Sequence, residues 1–314
     1  MSRVPESGYQ GPWVSIGLPV YNEERHLRAT IDSLLAQDFK GLELVISDNA
    51  SEDQTGEICR EYAAKDARIR YYRNEVNLGP IANFNRVFEL SRGTYFMWAS
   101  GHDLWAPGFI SRCVEILECD PGVVLCYPRV QRIDEEGRPV ATLDTYLDTR
   151  GQSLPRRFSL TLWQFGSGCM IYGLIRSESL RATRLSRKVW GPDRLVLVEL
   201  AMLGAFANLQ ETLFYARDKW GMRDLPLMKR RRSHFQRLYP QDQPRFMWWF
   251  PELLGTYEQL LAVKHSRLGY AQKLLLLACV IIVYFLRFYR FIPLCIRRRL
   301  RGLFARLGIV PAPS

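Results

Sequence analysis

The sequence contains no acidic residue after Glu258, and that absence divides its 314 residues into two electrostatic regimes. Beyond that point stand ten basic side chains, Lys264, Arg267, Lys273, Arg287, Arg290, Arg297, Arg298, Arg299, Arg301 and Arg306. Of the net charge of +11, only +1 belongs to residues 1–258, which hold 33 basic and 32 acidic residues. A nearly neutral body argues against a protein that grips nucleic acid by its phosphates, because that requires basic charge spread over the binding face. A tail that is both basic and apolar fits an anionic membrane surface; a basic RNA-binding tail is the competing reading. Cysteines are few and unpatterned: seven, an odd number, with no CxxC pair. That excludes a disulfide framework and a zinc ribbon, and leaves buried reduced thiols in a cytosolic protein as the expectation. Residues 1–12 are polar and lack an apolar signal core, so Sec export is not expected. There is no internal repeat.

Long apolar runs are also missing. Leu274–Leu286 has thirteen uncharged, mostly apolar residues. As a helix it would extend about 20 Å, short of a ~30 Å hydrocarbon core. Continuing to Ile296 means snorkelling Arg287 and Arg290 and passing Pro293. The expectation is an in-plane or shallowly inserted anchor, ahead of a true span or a core helix of a soluble domain. What remains is ordinary globular composition, 47% hydrophobic and 24% charged, enough for one large α/β unit and an appendage.

Along the chain, apolar β-branched runs alternate with amphipathic stretches. Strands are expected at 13–20, 42–47, 69–73, 95–99 and 123–130, with helices at 23–37, 54–64, 81–90 and 109–118. Such alternation predicts a mostly parallel sheet covered on both faces, whose ligands bind where the strands end. The polar clusters fall at those ends: Tyr21, Asn22 and Glu23 after the first strand, Asp48 and Asn49 after the second, Asn77 and Gly79 after the third, His102 and Asp103 after the fourth. From 131 to 228 the pattern is less regular, with a turn at 134–137, a helix near 194–203 and a strand near 206–215. Four segments result: a lead (1–12), a nucleotide-binding half (13–130), an acceptor-side half (131–228) and a basic, apolar helical tail (229–314).

Two carboxylates stand out for chemistry. Asp48 can accept the imide N–H of a uracil ring, and Asp103 can hold Mg²⁺ or Mn²⁺ among waters and phosphate oxygens. Each alone also reads as a turn or cap aspartate. Gly166-Ser167-Gly168 lacks the Lys-Ser/Thr of a phosphate loop and reads as a turn. Trp98, Trp105 and Trp163 could stack on sugars, but aromatics in a domain of this size are mostly core.

In order, Leu18-Pro19-Val20-Tyr21-Asn22-Glu23-Glu24, Val45-Ile46-Ser47-Asp48-Asn49-Ala50-Ser51-Glu52-Asp53, Asn77-Leu78-Gly79 and 95–107 resemble the opening of family-2 glycosyltransferases. The resemblance covers about residues 13–218. It implies a GT-A fold, a nucleotide-diphosphate sugar donor and inversion at the anomeric carbon. It assigns Pro19, Tyr21 and Glu23 to the nucleotide, Asp48 to the base and Asp103 to the metal. Trp190-Gly191-Pro192-Asp193-Arg194 is similar to the segment that holds the family's general base, which points to Asp193; helix capping is its plainer role. Two departures accompany the likeness. His102 stands where relatives commonly have a first acid, and it could bond ribose, bind metal or be a plain loop histidine. Arg217-Asp218-Lys219 replaces an Arg-x-His, so Lys219 could pair with diphosphate but not ligate metal, and weaker metal dependence is expected.

The sequence thus predicts a glycosyltransferase at the cytoplasmic face of the plasma or inner membrane. It would move a sugar from a UDP- or dTDP-type donor to a lipid-linked or cell-envelope glycan, with a membrane surface and no nucleic acid as partners. The alternatives are a catalytically degenerate binding or scaffold protein, and a nucleotidyltransferase on a similar sheet.

Overall fold

Four runs of aliphatic and aromatic residues build the first half of the sheet: β1 (Val14–Val20), β2 (Leu42–Asp48), β3 (Ile69–Arg73) and β4 (Tyr95–Trp98). They pair in parallel in the order β3-β2-β1-β4. Every residue of β1, β2 and β4 is buried, as a sheet covered on both faces requires. The crossovers are α1 (Leu27–Leu35), α2 (Thr55–Lys65) and α3 (Pro80–Glu89). The computed structural model describes residues 13–142, 147–164, 168–189, 191–217 and 251–288.

Alternation along β4 sorts its side chains between two cores. Tyr95 and Met97 join Leu27, Ile31, Leu34 and the buried face of α4 (Phe109–Cys119). Phe96 and Trp98 point the other way, onto Val87 and Phe88 of α3 and onto α7 (Pro192–Leu203). Phe96 packs edge-on to both Phe88 and Trp98, with ring centroids 4.9 and 5.0 Å apart. Trp98 is therefore core, its indole N–H donating to the Phe84 carbonyl. Trp105 is core too, stacked on Phe214, and Trp163 packs against the helical cluster of the C-terminal region.

Beyond β4 the sheet becomes mixed. The short β8 (Leu174–Arg176) lies antiparallel to both β4 and β6 (Val123–Ile133). β6 runs parallel to β9 (Ala205–Arg217), which carries the two-residue β5 (Leu104–Trp105) antiparallel on its far side. β7 (Pro139–Thr142) returns along β6 through the turn expected at 134–137, where Gly137 has φ +85°. The continuous β6 crosses position 130, so the two expected halves share one sheet. The irregular region also contains α5 (Leu154–Trp163), a 3-10 turn (Cys169–Tyr172) and α6 (Ser177–Arg181).

The C-terminal helices α8 (Pro251–His265) and α9 (Tyr270–Phe288) pack on α5 and α7 through Leu276, Cys279, Val280 and Val283. A buried ion network adds direction to this apolar seam. Arg184 reaches Glu199 of α7 through its main-chain N–H (2.6 Å) and Nε (2.8 Å), and Glu258 of α8 through Nη1 (3.1 Å). These two helices thus form one face of a helical core, and no helix among the described residues is long and apolar enough to cross a membrane. The extension through Arg290 and Pro293 to Ile296 lies outside the described residues. The six cysteines described are free thiols, four of them buried and Cys119 exposed.

Candidate functional site

A β1 strand flanked by β2 and β4 brings three loops to one rim, and hydrogen bonds lace them together. Asn22 and Glu23 donate main-chain N–H groups to Ser51 Oγ (3.0 Å) and Thr55 Oγ1 (2.8 Å). In return, the Glu52 N–H donates to Asn22 Oδ1 at 2.9 Å. Asn22 and Ala50 both hold positive φ, 52° and 62°, a conformation that side chains other than glycine's rarely adopt. Two strained residues facing each other across one rim mark a place that the surrounding structure holds rigidly. On the β4 side, Glu23 Oε1 lies 3.3 Å from His102 Nδ1. A Cβ at Gly101 would stand 2.9 Å from Glu23 Cγ, so only glycine lets these loops close.

Asp48 ends β2 as expected, but its carboxylate is turned inward and wholly buried. It accepts the Ser51 N–H and the Tyr71 hydroxyl, each at 2.9 Å, and Arg73 Nη1 at 2.5 Å. Burial first, and then this carboxylate, push the Tyr71 phenol up to about 12. In this state Asp48 organises the loop, and the half-exposed Arg73 stands between it and solvent. An amide network fixes the neighbouring loop. Asn49 donates to Asn77 Oδ1 at 2.7 Å and accepts from Asn74 and the Leu78 N–H, both at 2.9 Å. Asn77 in turn accepts the Gly79 N–H at 2.8 Å, and Gly79, at φ +80°, leads into α3. Pro19 is buried within β1, so it shapes the rim without surfacing, whereas Tyr21 is 42% exposed.

Asp103 is the second buried acid of this rim. Its Oδ1 accepts the Arg217 main-chain N–H at 2.7 Å, and burial raises its pKa, with Glu23 adding to the rise while His102, Arg217 and Ser100 oppose it. The Arg217 guanidinium does not face that carboxylate. It donates instead to the carbonyls of His102 (2.9 Å), Asp134 (2.7 Å) and Glu135 (2.6 Å), pinning the rim to the β6–β7 turn. Glu135 also takes His26 Nε2 at 2.9 Å and Arg25 at 2.9 Å; the His26 contact is the chief cause of its lowered pKa.

Asp193 lies in the first turn of α7, whose N-cap is Gly191, so the expected capping role falls to another residue. It keeps a partial opening to solvent, yet protein crowds it closely enough that burial pushes its pKa up to about 6. Tyr172, at the end of the 3-10 turn, connects it to the rim. Burial raises the pKa of this phenol, with the charges of Asp193 and Asp103 adding to the rise and Ser100 opposing it. Its ring leans on Phe214, centroids 5.7 Å apart. Tyr172, Arg73, Ser100 and the guanidinium of Arg217 are functional candidates that sequence reasoning missed. An arginine closing β3 opposite the aspartate closing β2 was the one available signal. Lys219 lies outside the described residues, as do Trp190, Gly166 and Ser167.

Among the described residues no three His, Cys, Asp or Glu side chains gather as a metal-binding group. The donor set nevertheless suits a divalent ion carried mainly by substrate phosphates. Asp103 is a buried carboxylate that feels the charge of Glu23, and the Arg217 guanidinium is engaged elsewhere.

The profile described as Glycosyl transferase family 2 matches residues 15–180, more than half of the chain. The chain belongs to that family. Among its relatives, the glycosyltransferase MJ1057 of Methanocaldococcus jannaschii is 32% identical over 128 residues, 40% of this chain and 44% of that protein. EpsJ of Bacillus subtilis, also a glycosyltransferase, is 36% identical over 107 residues, 34% of this chain and 31% of that one. This family-2 chain thus spans less than half the length of those curated relatives. Its fold matches residues 1–349 of S. aureus TarS in complex with UDP-GlcNAc, with a TM-score of 0.62 at 17% identity over 94% of this chain and 81% of that one. It also resembles the mannosyltransferase PcManGT of Pyrobaculum calidifontis in complex with GDP-Man and Mn²⁺, with a TM-score of 0.50 at 17% identity over 95% and 81% of the two chains. The mixed α/β sheet is accordingly of the GT-A type.

Proposed function

We propose that this protein transfers a sugar from a UDP- or dTDP-type nucleotide donor to a hydroxyl of a lipid-linked or cell-envelope glycan, with inversion. The observation that carries the reading is the donor rim, where hydrogen bonds tie the loops after β1, β2 and β4 together and the buried Asp103 carboxylate accepts the Arg217 main-chain N–H at 2.7 Å. The donor base is read beside Arg73 and Asp48, and its ribose and diphosphate lie along Tyr21, Glu23, Asn77, Gly79 and His102. Asp103 would hold Mg²⁺ or Mn²⁺, which supplies charge neutralisation of the departing diphosphate. Lys219 is assigned to the same diphosphate as a point charge, which is why a weaker dependence on metal is expected.

Asp193 is the proposed general base. With a pKa near 6 it is mostly ionised at neutral pH yet basic enough to take a proton from the acceptor hydroxyl as the glycosidic bond forms. Its partial opening leaves that route available to an acceptor. In support of the donor class, TarS, of the same fold, is described with UDP-GlcNAc. The acceptor class and the location at the cytoplasmic membrane face are supported by the basic, acid-free stretch after Glu258.

The test is hydrolysis of a panel of nucleotide sugars by the full chain, with and without Mn²⁺. Donor-specific sugar release that Asp103→Ala abolishes supports an enzyme. Nucleotide-sugar binding without turnover would favour a binding protein.

A further inference from the structure

The end of β4 opposite the donor rim carries a cavity of about 290 Å³, lined by Arg92, Gly93, Thr94, Arg176, Glu178 and Arg181. Residues 92–94 lead into β4, and Arg176 closes the antiparallel β8, where it pairs with Tyr95; Asp103 follows the far end of β4. The cavity shares no residue with the site already described. Hydrogen bonds fix its floor. The Gly93 N–H donates to Ser15 Oγ at 2.7 Å, and the Arg92 N–H to Glu43 Oε1 at 2.8 Å. Ser177, which opens α6, gives its N–H to the Thr94 carbonyl (2.9 Å) and its hydroxyl to the Gly93 carbonyl (2.7 Å). A Cβ at Gly93 would stand 2.6 Å from the Ser15 nitrogen, so only glycine brings these segments so close.

Two guanidinium groups carry the argument from charge. Arg176 donates to the carbonyls of Val123 (2.8 Å), Leu117 and Asp120 (3.3 Å), and to the Tyr95 hydroxyl (3.3 Å), which itself donates to Glu118. These direct acceptors are all neutral, so the positive charge is held in place rather than cancelled. Arg181 ends α6 and is exposed, its guanidinium lying over the Phe88 ring at 5.8 Å from the centroid. Glu178 stands three residues before it, and residues so spaced share one side of a helix. Two cations and one carboxylate thus border the same small space. The cations suit a phosphate, whereas the carboxylate repels a bare anion but accepts hydrogen bonds from hydroxyl groups.

We propose that this cavity binds a small phosphate monoester that also bears hydroxyl groups, in chemical class a sugar phosphate. Size sets the upper bound. Ligand pockets run from about 300 to 1,000 Å³, so a cavity at the low end suits one sugar ring with its phosphate rather than a whole nucleotide sugar. Arg181 is the group that meets the phosphate, with the fixed charge of Arg176 adding attraction. Glu178 and the exposed Thr94 are the partners for the sugar hydroxyls. Because the donor rim lies beyond the other end of β4, both ligands can be held at once.

Titration calorimetry of the full chain in EDTA tests this, with glucose 6-phosphate, inorganic phosphate and glucose as probes. Glucose 6-phosphate is expected to bind in the millimolar range or tighter, inorganic phosphate more weakly and glucose not at all. Arg181→Glu should weaken glucose 6-phosphate on the order of 10-fold or more, because a charge-assisted contact becomes a repulsive one. Arg181→Gln, which loses only the charge, should fall in the same direction. Glu178→Gln should tighten inorganic phosphate and narrow its gap to the sugar phosphate. Asp103→Ala should bind glucose 6-phosphate as the wild type does. The three cavity variants replace exposed side chains and should keep the wild-type melting temperature. Equal binding by the wild type and Arg181→Glu, or its loss in Asp103→Ala, would overturn the proposal by placing the ligand on the donor rim or elsewhere. So would tighter binding of inorganic phosphate than of glucose 6-phosphate, since the cavity would then be a plain anion patch. Absence of any binding at millimolar glucose 6-phosphate would overturn it outright.

Discussion

Asp103 and Arg217 are 114 positions apart and meet at 2.7 Å, the main-chain N–H of Arg217 donating to Asp103 Oδ1. The arginine is thus a positioning residue twice over. Its backbone orients the carboxylate, and its guanidinium holds the three carbonyls of His102, Asp134 and Glu135. Arg217→Ala keeps the first bond and removes the others. Charge-assisted hydrogen bonds are each worth about 1.5–3 kcal/mol. The loop should loosen, so the Michaelis constant for the donor is expected to rise on the order of 10-fold while the fold survives. Steady-state kinetics alongside thermal unfolding checks it; an unchanged donor constant would remove the positioning role.

Asp193→Asn separates stability from catalysis. Burial raises this carboxyl to about 6 in the folded chain, above its ordinary range near 4, so the native state binds the proton more tightly than the unfolded state. Stability therefore falls as pH rises from about 4 to 6 and stays lower above that. The asparagine variant escapes this cost, roughly 1–3 kcal/mol, and should melt higher than the wild type at pH 8. The two curves should converge below about pH 4. Transfer should drop by 10²–10⁴-fold, and the wild-type kcat/KM should fall on the acid side with an apparent pKa near 6. A variant that keeps most of its transfer rate would reject Asp193 as the base.

Much of the donor half was legible. β1, β2 and β4 are mostly apolar, fully buried runs closed by polar clusters, and such runs have little alternative to a buried parallel strand. That put Asp48 and Asp103 on the same rim. The three-residue β8 and two-residue β5 carry no pattern of their own; they are strands because β4, β6 and β9 offer them partners. The state of Asp48 was equally hidden, since Arg73 and Tyr71 are placed opposite it only by the β2–β3 register. Tyr172 could not be singled out because the charged groups that act on it, Asp103 and Asp193, come from two segments far apart in sequence. In the tail, the thirteen-residue apolar run falls short of a bilayer core, and that one side of it is buried in a helical cluster appears only once α5 and α7 are in place.

Tyr172→Phe probes the link between the two acids. The charges of Asp103 and Asp193 both act on this phenol, and its hydroxyl is a polar group in a crowded site. Stability should fall by about 1–2 kcal/mol. If the phenol also sets the field at Asp193, the acid limb of the kcat/KM profile should move, which a purely structural residue would not cause. Comparing the two pH profiles decides between these roles.

The Asp48–Arg73 pair makes the last prediction. A fully buried carboxylate whose only guanidinium among the described residues comes from Arg73 depends on that partner, and removing one side of such a pair typically costs about 3–5 kcal/mol. Arg73 is 42% exposed, so water can replace part of what is lost and the cost should fall well below that of a fully buried pair. Arg73→Ala should therefore lower the urea midpoint measurably and weaken nucleotide binding. Asp48→Asn keeps acceptors for Ser51 and Tyr71 but removes the charge. It should be milder in stability, yet should weaken nucleotide binding as strongly if the base is read at this pair. Nucleotide titration calorimetry on the two variants supplies the comparison. Undiminished binding by both would move the base elsewhere on the rim.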